Sequence, residues 1–204
     1  MSILINDEVF AMEVLQSRRA RGGDRYDEVW DGVYVMSPIA NNEHQSLATE
    51  LATAISTIIN WRGRGRTIAG ANVSDSRDNW THNYRIPDVL VFLNDTSAVD
   101  CGTHWFGGPD FAIEIVSPSD RTLEKLSFYG KIGTRELLVI DRHPWQLSLY
   151  RLINGQLALV ACSGSQQSAV ITSEVIPLRL ELNSKAKCIR LSNADSSPIR
   201  DIPI

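Results

Sequence analysis

Residues Asp110 to Asp141, DFAIEIVSPSDRTLEKLSFYGKIGTRELLVID, read as strand, capped helix, strand. Side chains alternate along an extended chain, so Phe111, Ile113 and Ile115 share one face while Ala112, Glu114 and Val116 share the other. Glu114 thus interrupts an apolar strand. A second run, Ile86-Pro87-Asp88-Val89-Leu90-Val91-Phe92-Leu93, does the same: Ile86, Asp88, Leu90 and Phe92 lie on one side, and Val89, Val91 and Leu93 on the other. An ionised carboxylate in such surroundings is costly unless it is paired, bound to a metal, or placed at a strand end open to water. Two together repel and raise at least one pKa unless a cation sits between them. Mg²⁺ or Mn²⁺ prefers carboxylate oxygens, and the same ion can bind a phosphate oxygen and lower the pKa of a water. The plainer alternative is structural, with Asp88 capping a strand after Pro87 and Glu114 paired with an Arg or Lys.

A lysine bears on this choice. Ser117-Pro118-Ser119-Asp120 offers a cap residue, a proline suited to the first helical position and an acid in the first turn, which predicts a helix start. At about 100° per residue, Arg121, Lys125, Phe128 and Ile132 fall on one helical face, and Leu123, Leu126 and Gly130 on another. Lys125 therefore stands beside apolar residues. A half-buried lysine close to Glu114 can stabilise charge on a pentavalent phosphorane or orient an attacking water. Alternatively it pairs with Glu124 in solvent and has no chemical role.

Around this centre, Asn6 caps a first helix over residues 6–19, and Tyr26 to Met36 forms a hairpin turning at Asp31-Gly32. Asn41 to Trp61 is the clearest helix, with Leu47, Leu51, Ala54, Ile55, Ile58 and Ile59 at helical spacing and Asn42 with Gln45 as a capping box. The following Arg62-Gly63-Arg64-Gly65-Arg66 places cations where they meet a helix dipole, with phosphate contact as the minor reading. Thr67 to Val73 is a short strand, and residues 94–109 form a long loop holding Cys101, His104 and Trp105. Asn154-Gly155 marks a second hairpin, residues 169–182 add a strand or two, and a polar tail runs from about Asn193. The expected fold is α/β or α+β, a mixed sheet core flanked by helices and ending in an antiparallel meander, with residues 1–204 as one domain.

The bulk properties set limits. A chain of 204 residues with 43% hydrophobic content can bury one sizeable core. The formal charge of −4 is not that of a protein coating nucleic acid non-specifically, so any polyanion site must be a local basic patch on an acidic body. Cys101, Cys162 and Cys188 are odd in number and widely spaced, which favours reduced thiols in a cytoplasmic protein. No segment has the length and apolarity to cross a bilayer, so no membrane partner is expected.

The set Pro87-Asp88, Glu114 on the next strong strand and a nearby lysine resembles the PD-(D/E)XK nuclease superfamily. More narrowly, E-I-V-S-P-S, E-K-x-x-x-Y, G-x-x-E and V-I-D are similar to a large bacterial family of uncharacterised restriction endonuclease-like proteins. So are the upstream YDEVWDGVYVMSP, the helix opening at Glu43-His44, and Y-R-L-x-N-G at Tyr150 to Gly155. The resemblance implies a restriction-endonuclease-like fold with Asp88 and Glu114 as Mg²⁺ or Mn²⁺ ligands and Lys125 as the catalytic lysine. It departs from the superfamily signature at Val116, where the E-x-K lysine would stand; Lys125 matches the family's helix lysine instead. Glu28 and His44 match supporting positions, with a salt bridge and a helix start as their structural readings.

The function expected is a metal-dependent DNA endonuclease hydrolysing phosphodiester bonds, acting as a homodimer because one site per chain cuts one strand. Two rivals stand beside it: a catalytically inactive nuclease fold serving as a binding or assembly module, and a small-molecule phosphohydrolase.

Overall fold

The two runs that carry the odd carboxylates lie side by side. The computed structural model describes residues 8–37, 40–117, 121–164 and 169–204. Its elements are α1 Glu8–Ala20, β1 Glu28–Trp30, β2 Val33–Val35, α2 Asn42–Ile58, β3 Gly65–Ala69, β4 Val73–Ser74, β5 Tyr84–Arg85, β6 Val89–Leu93, β7 Val99–Asp100 and β8 Trp105–Phe106. They continue with β9 Phe111–Ile115, α3 Leu126–Lys131, β10 Glu136–Arg142, β11 Trp145–Ile153, β12 Gln156–Gly164, β13 Ile171–Thr172, β14 Leu178–Asn183, β15 Cys188–Asn193 and β16 Pro198–Pro203.

The main sheet runs β12-β11-β10-β9-β6-β3, and only β9 and β10 are parallel among its paired strands. A parallel pair needs a crossover, which the segment holding α3 supplies. The faces sort as alternation requires. Val89, Val91, Phe111, Ile113 and Ile115 face α2 and a C-terminal antiparallel sheet, β13-β14-β15-β16. Leu90, Phe92 and Ala112 face Phe128, Tyr129 and Trp105. The second face carries Asp88 and Glu114. A third sheet, β2-β1-β5-β4-β8-β7, closes over that side. The fold is therefore mixed α+β with a C-terminal meander, as expected.

Both hairpins form as their turn residues require. Asp31 and Gly32 have φ of 49° and 83°, and Asn154 and Gly155 have 52° and 79°, the left-handed pairs that match strand twist. Gly65 serves a different need, since a Cβ there would lie 2.2 Å from the Phe92 carbonyl oxygen. Beside it Arg64 Nη1 donates to the Ile58 carbonyl at the end of α2, the dipole-side role expected of that basic turn.

Five expectations change. The α2 cap is Asn41, whose Oδ1 accepts from His44 N at 2.9 Å, one residue before the Asn42 box. The strand expected at Thr67–Val73 divides into β3 and β4, and the 94–109 loop contains β7 and β8, anchored by Trp105 stacked 3.6 Å from Phe92. The helix expected from Ser117 begins as a tight turn over Thr122–Lys125 and becomes α only at Leu126; residues 118–120 lie outside the described residues. The polar tail from Asn193 includes a strand, β16, because Ile202 alternates inward onto the core. The first helix forms as α1, with Val9, Phe10 and Met12 exposed, and its expected Asn6 cap lies outside the described residues.

Candidate active site

Asp88 does not interrupt a strand; it stands immediately before β6. The β6–β9 register pairs Val89 with Ile113, so one further step sets Asp88 across from Glu114. The Asp88 amide donates to the Ile113 carbonyl at 3.0 Å, and its Oδ2 accepts from the Ile115 amide at 2.7 Å. Its Oδ1 lies 2.7 Å from His44 Nε2, while His44 Nδ1 lies 3.3 Å from Ser117 Oγ. A carboxylate held by a backbone amide and an imidazole cannot rotate freely, so its remaining lone pairs have a fixed direction. Its side chain is 21% exposed, leaving this end of the pair open to solvent.

Glu114 is 3% exposed and belongs to a closed network. Lys125 Nζ donates to both its oxygens at 3.1 Å, and Tyr129 OH donates to Oε1. Lys125 also donates to Glu28 Oε1 at 3.0 Å. Glu28 is fixed by the Ile86 amide on Oε1 at 2.8 Å and by Trp30 Nε1 on Oε2 at 2.7 Å. Trp30 in turn lies between two guanidinium groups, with Arg85 4.5 Å and Arg121 4.6 Å from its ring, and Arg85 covers Phe128 at 4.2 Å on its other side. Such contacts hold the indole plane and so the direction of its N–H.

The electrostatics follow from this crowding. Burial pushes the Glu114 carboxyl up to about 8; Lys125 opposes that, while the negative charges of Glu28 and Asp88 add to it. Burial also raises the Tyr129 phenol well above its ordinary value, so it stays protonated and donates. Arg85 is lowered by the same burial. Two buried carboxylates thus share one ammonium, with a third carboxylate close by.

The structure brings Asp88, Glu114, Lys125, Glu28 and His44 into one site. Lys125 takes the paired form of its structural reading, but with Glu28 and Glu114 in place of Glu124, which pairs with Arg121. Tyr129 and Trp30 were missed as contributors. The E-K-x-x-x-Y spacing carries the first, since four residues on a helix return to the same face. Trp30, two positions from Glu28 on one strand, shares its face, and that period was the available signal.

The donor set suits a hard divalent ion. Among the described residues no group of three or more His, Cys, Asp and Glu side chains is arranged to hold a metal. Mg²⁺, however, is commonly held by one or two carboxylates and completed by water and substrate phosphates. Burial chiefly raises Glu114, and the negative charges of Glu28 and Asp88, which add to that rise, are what such an ion would neutralise. Asp88 and Glu114 are the residues that would hold it.

The Uma2 family, described as "Putative restriction endonuclease", matches residues 8–185. A crystal structure of a putative nuclease belonging to DUF820 from Anabaena variabilis is similar in fold, with a TM-score of 0.53 and 18% identity over 65% of this chain and 75% of that one. No curated protein matches the chain. Since the family match spans most of its length, this chain belongs to the Uma2 family.

Proposed function

We propose that the protein is a Mg²⁺- or Mn²⁺-dependent DNA endonuclease that hydrolyses phosphodiester bonds. The observation that carries this is Lys125 Nζ at 3.1 Å from Glu114, on the sheet face that also holds Asp88. The lysine absent from position 116 is replaced in space by one from the following helical turn. Family membership supports a nuclease, and the carboxylate pair supports metal dependence.

In this reading Asp88 and Glu114 hold the ion, which when bound polarises the phosphate and acidifies a water. His44 and the Ile115 amide keep Asp88 oriented. Tyr129 keeps Glu114 oriented by hydrogen bonding. Lys125 supplies a positive charge for the phosphorane, and Glu28, which accepts a hydrogen bond from its Nζ, keeps that lysine in place. The attacking water gives up a proton to solvent as its oxygen bonds to phosphorus, the bond to the leaving oxygen breaks, and that oxygen takes up a proton from solvent. A homodimer supplies the two sites that a double-strand cut requires. The free thiols Cys101, Cys162 and Cys188 agree with a cytoplasmic location. No helix among the described residues is long and apolar enough to cross a membrane.

A second reading, a nuclease fold used as a binding or assembly module, is favoured by one observation: Lys125 is already shared by two buried carboxylates. The test is cleavage of plasmid DNA with Mg²⁺ or Mn²⁺ by the wild type and by Asp88→Ala. Nicking by the wild type alone supports the enzyme; equal products from both, or none from either, oppose it.

A further inference from the structure

A nuclease on an acidic chain needs a local basic surface to hold its substrate. The densest run of cations is Arg18, Arg19, Arg21 and Arg25, at the end of α1 and in the turn that follows. These four arginines are not equivalent. Arg18 is a fastener: its Nε and Nη2 donate to Asp27 Oδ2 and Oδ1 at 2.7 and 2.6 Å, and Nη2 also reaches the Ser37 carbonyl at 3.0 Å. Asp27 is 1% exposed and also accepts from Tyr34 OH and the Ser37 amide. The turn is therefore bolted to residue 27, the neighbour of Glu28.

Arg19, Arg21 and Arg25 are exposed, and none of the three forms an ion pair among the described residues. A helix dipole accounts for cations in the last turn of α1, but Arg21 and Arg25 lie beyond its end at Ala20. Their placement points to the site. Tyr26, beneath the Arg25 guanidinium, packs over Gly70, where a Cβ would come within 3.5 Å of its ring. The Gly70 amide donates to the Asp88 carbonyl at 3.2 Å. The basic turn is thus joined through Tyr26 and Gly70 to the backbone of Asp88 at the strand entry.

We propose that Arg19, Arg21 and Arg25 form a phosphate-binding edge that holds the DNA backbone leading into the site. Guanidinium groups suit phosphate because their donors match its oxygens in pairs. The Arg18–Asp27 clamp fixes their position relative to Glu28. This rests on the nuclease reading for its substrate, but it makes a claim about binding alone.

The experiment uses the full chain, a fluorescein-labelled duplex DNA, and Kd measured across NaCl concentrations. The triple variant Arg19→Ala/Arg21→Ala/Arg25→Ala is compared with wild type, alongside hydrolysis of bis(4-nitrophenyl) phosphate, a diester too small to span the turn. Losing two or three phosphate contacts flattens the slope of log K against log[salt] by about 0.9 for each, with binding at low salt weakened at least roughly tenfold. Small-diester hydrolysis stays within about twofold. An unchanged slope, or a wild type that does not retain DNA, overturns the proposal; so does an equal loss with the small diester, which would place the arginines in the site itself. DNA retention with the expected change of slope but no hydrolysis leaves the edge standing and removes the nuclease reading.

Discussion

Lys125 Nζ lies 3.1 Å from both oxygens of Glu114, although the lysine stands on a helical turn eleven positions beyond it and not on the same strand. A lysine at position 116 would have reached the site from the strand. Here Val116 joins the apolar side of that face, and the turn over Thr122–Lys125 delivers the ammonium from above the sheet. The charge arrives at the same carboxylate by a different covalent path, held there by Glu28.

Removing that charge has a clear expected effect. Lys125→Met leaves Glu28 and Glu114 buried against each other without their shared cation, and breaking a buried pair costs about 3–5 kcal/mol. Chemical denaturation should show a loss of that size. Divalent ion should restore part of it, and DNA cleavage should fall by orders of magnitude even where the variant is folded. Full activity in this variant would remove Lys125 from the mechanism.

The pH dependence of stability has a defined sign. Glu114 is pushed up to about 8 from an ordinary 4.5, chiefly by burial. Below 4.5 both folded and unfolded chains hold its proton. Between 4.5 and about 8 only the folded chain does, so stability falls as pH rises through that window. Thermal unfolding without metal should be highest on the acid side of it. Mg²⁺ should reverse the trend near pH 8, because the ion displaces the proton. Glu114→Gln, which imitates the protonated form, should flatten the slope; a slope unchanged in that variant would assign it to another group.

Trp30 offers a milder test of how Glu28 is held. Trp30→Phe keeps a ring between Arg85 and Arg121 but removes the Nε1 donor to Glu28 Oε2. A hydrogen bond to a charged group contributes about 1.5–3 kcal/mol, so unfolding should shift by a value in that range. Cleavage should slow with little change in DNA affinity. A variant with lower affinity and the same rate would place Trp30 at the substrate instead.

The C-terminal sheet is pinned by a buried carboxylate unconnected with the site. Glu136, with no exposed surface, accepts from Arg151 Nε at 2.9 Å, Ser173 OH at 2.5 Å and the Glu174 amide at 3.1 Å. Glu136→Ala should destabilise the fold by about 3 kcal/mol while leaving cleavage per folded molecule unchanged. Lost activity in fully folded protein would tie this clip to the site.

Much of this was legible because period-two alternation is a local property. Counting residues placed Asp88 with Leu90 and Phe92 and Glu114 with Ala112, and the two apolar clusters sort as those counts require; that the two carboxylates share one sheet face follows only from the β6–β9 register. The hairpins were legible because Asp-Gly and Asn-Gly pairs accept the left-handed conformation. What the sequence hid was non-local. The partners of Lys125 stand on β1 and β9, far apart in the chain, so helical projection could place the lysine beside Phe128 without revealing Glu28. The strand at Pro198–Pro203 was hidden by its polar outward residues, because an edge strand needs only Ile202 and its neighbours to face the core. In the Thr122–Lys125 turn, cap-like residues suggested a longer helix than the 3-10 geometry that forms.

The central claim is that Asp88 and Glu114 hold a divalent ion beside Lys125. Calorimetric titration of the full chain with Mn²⁺ near pH 8 tests it most directly. The account predicts a saturable binding event in the wild type, accompanied by proton release, that Glu114→Gln abolishes and Asp88→Ala abolishes or greatly weakens. No Mn²⁺ binding by the wild type, or binding of equal strength in all three proteins, would contradict it.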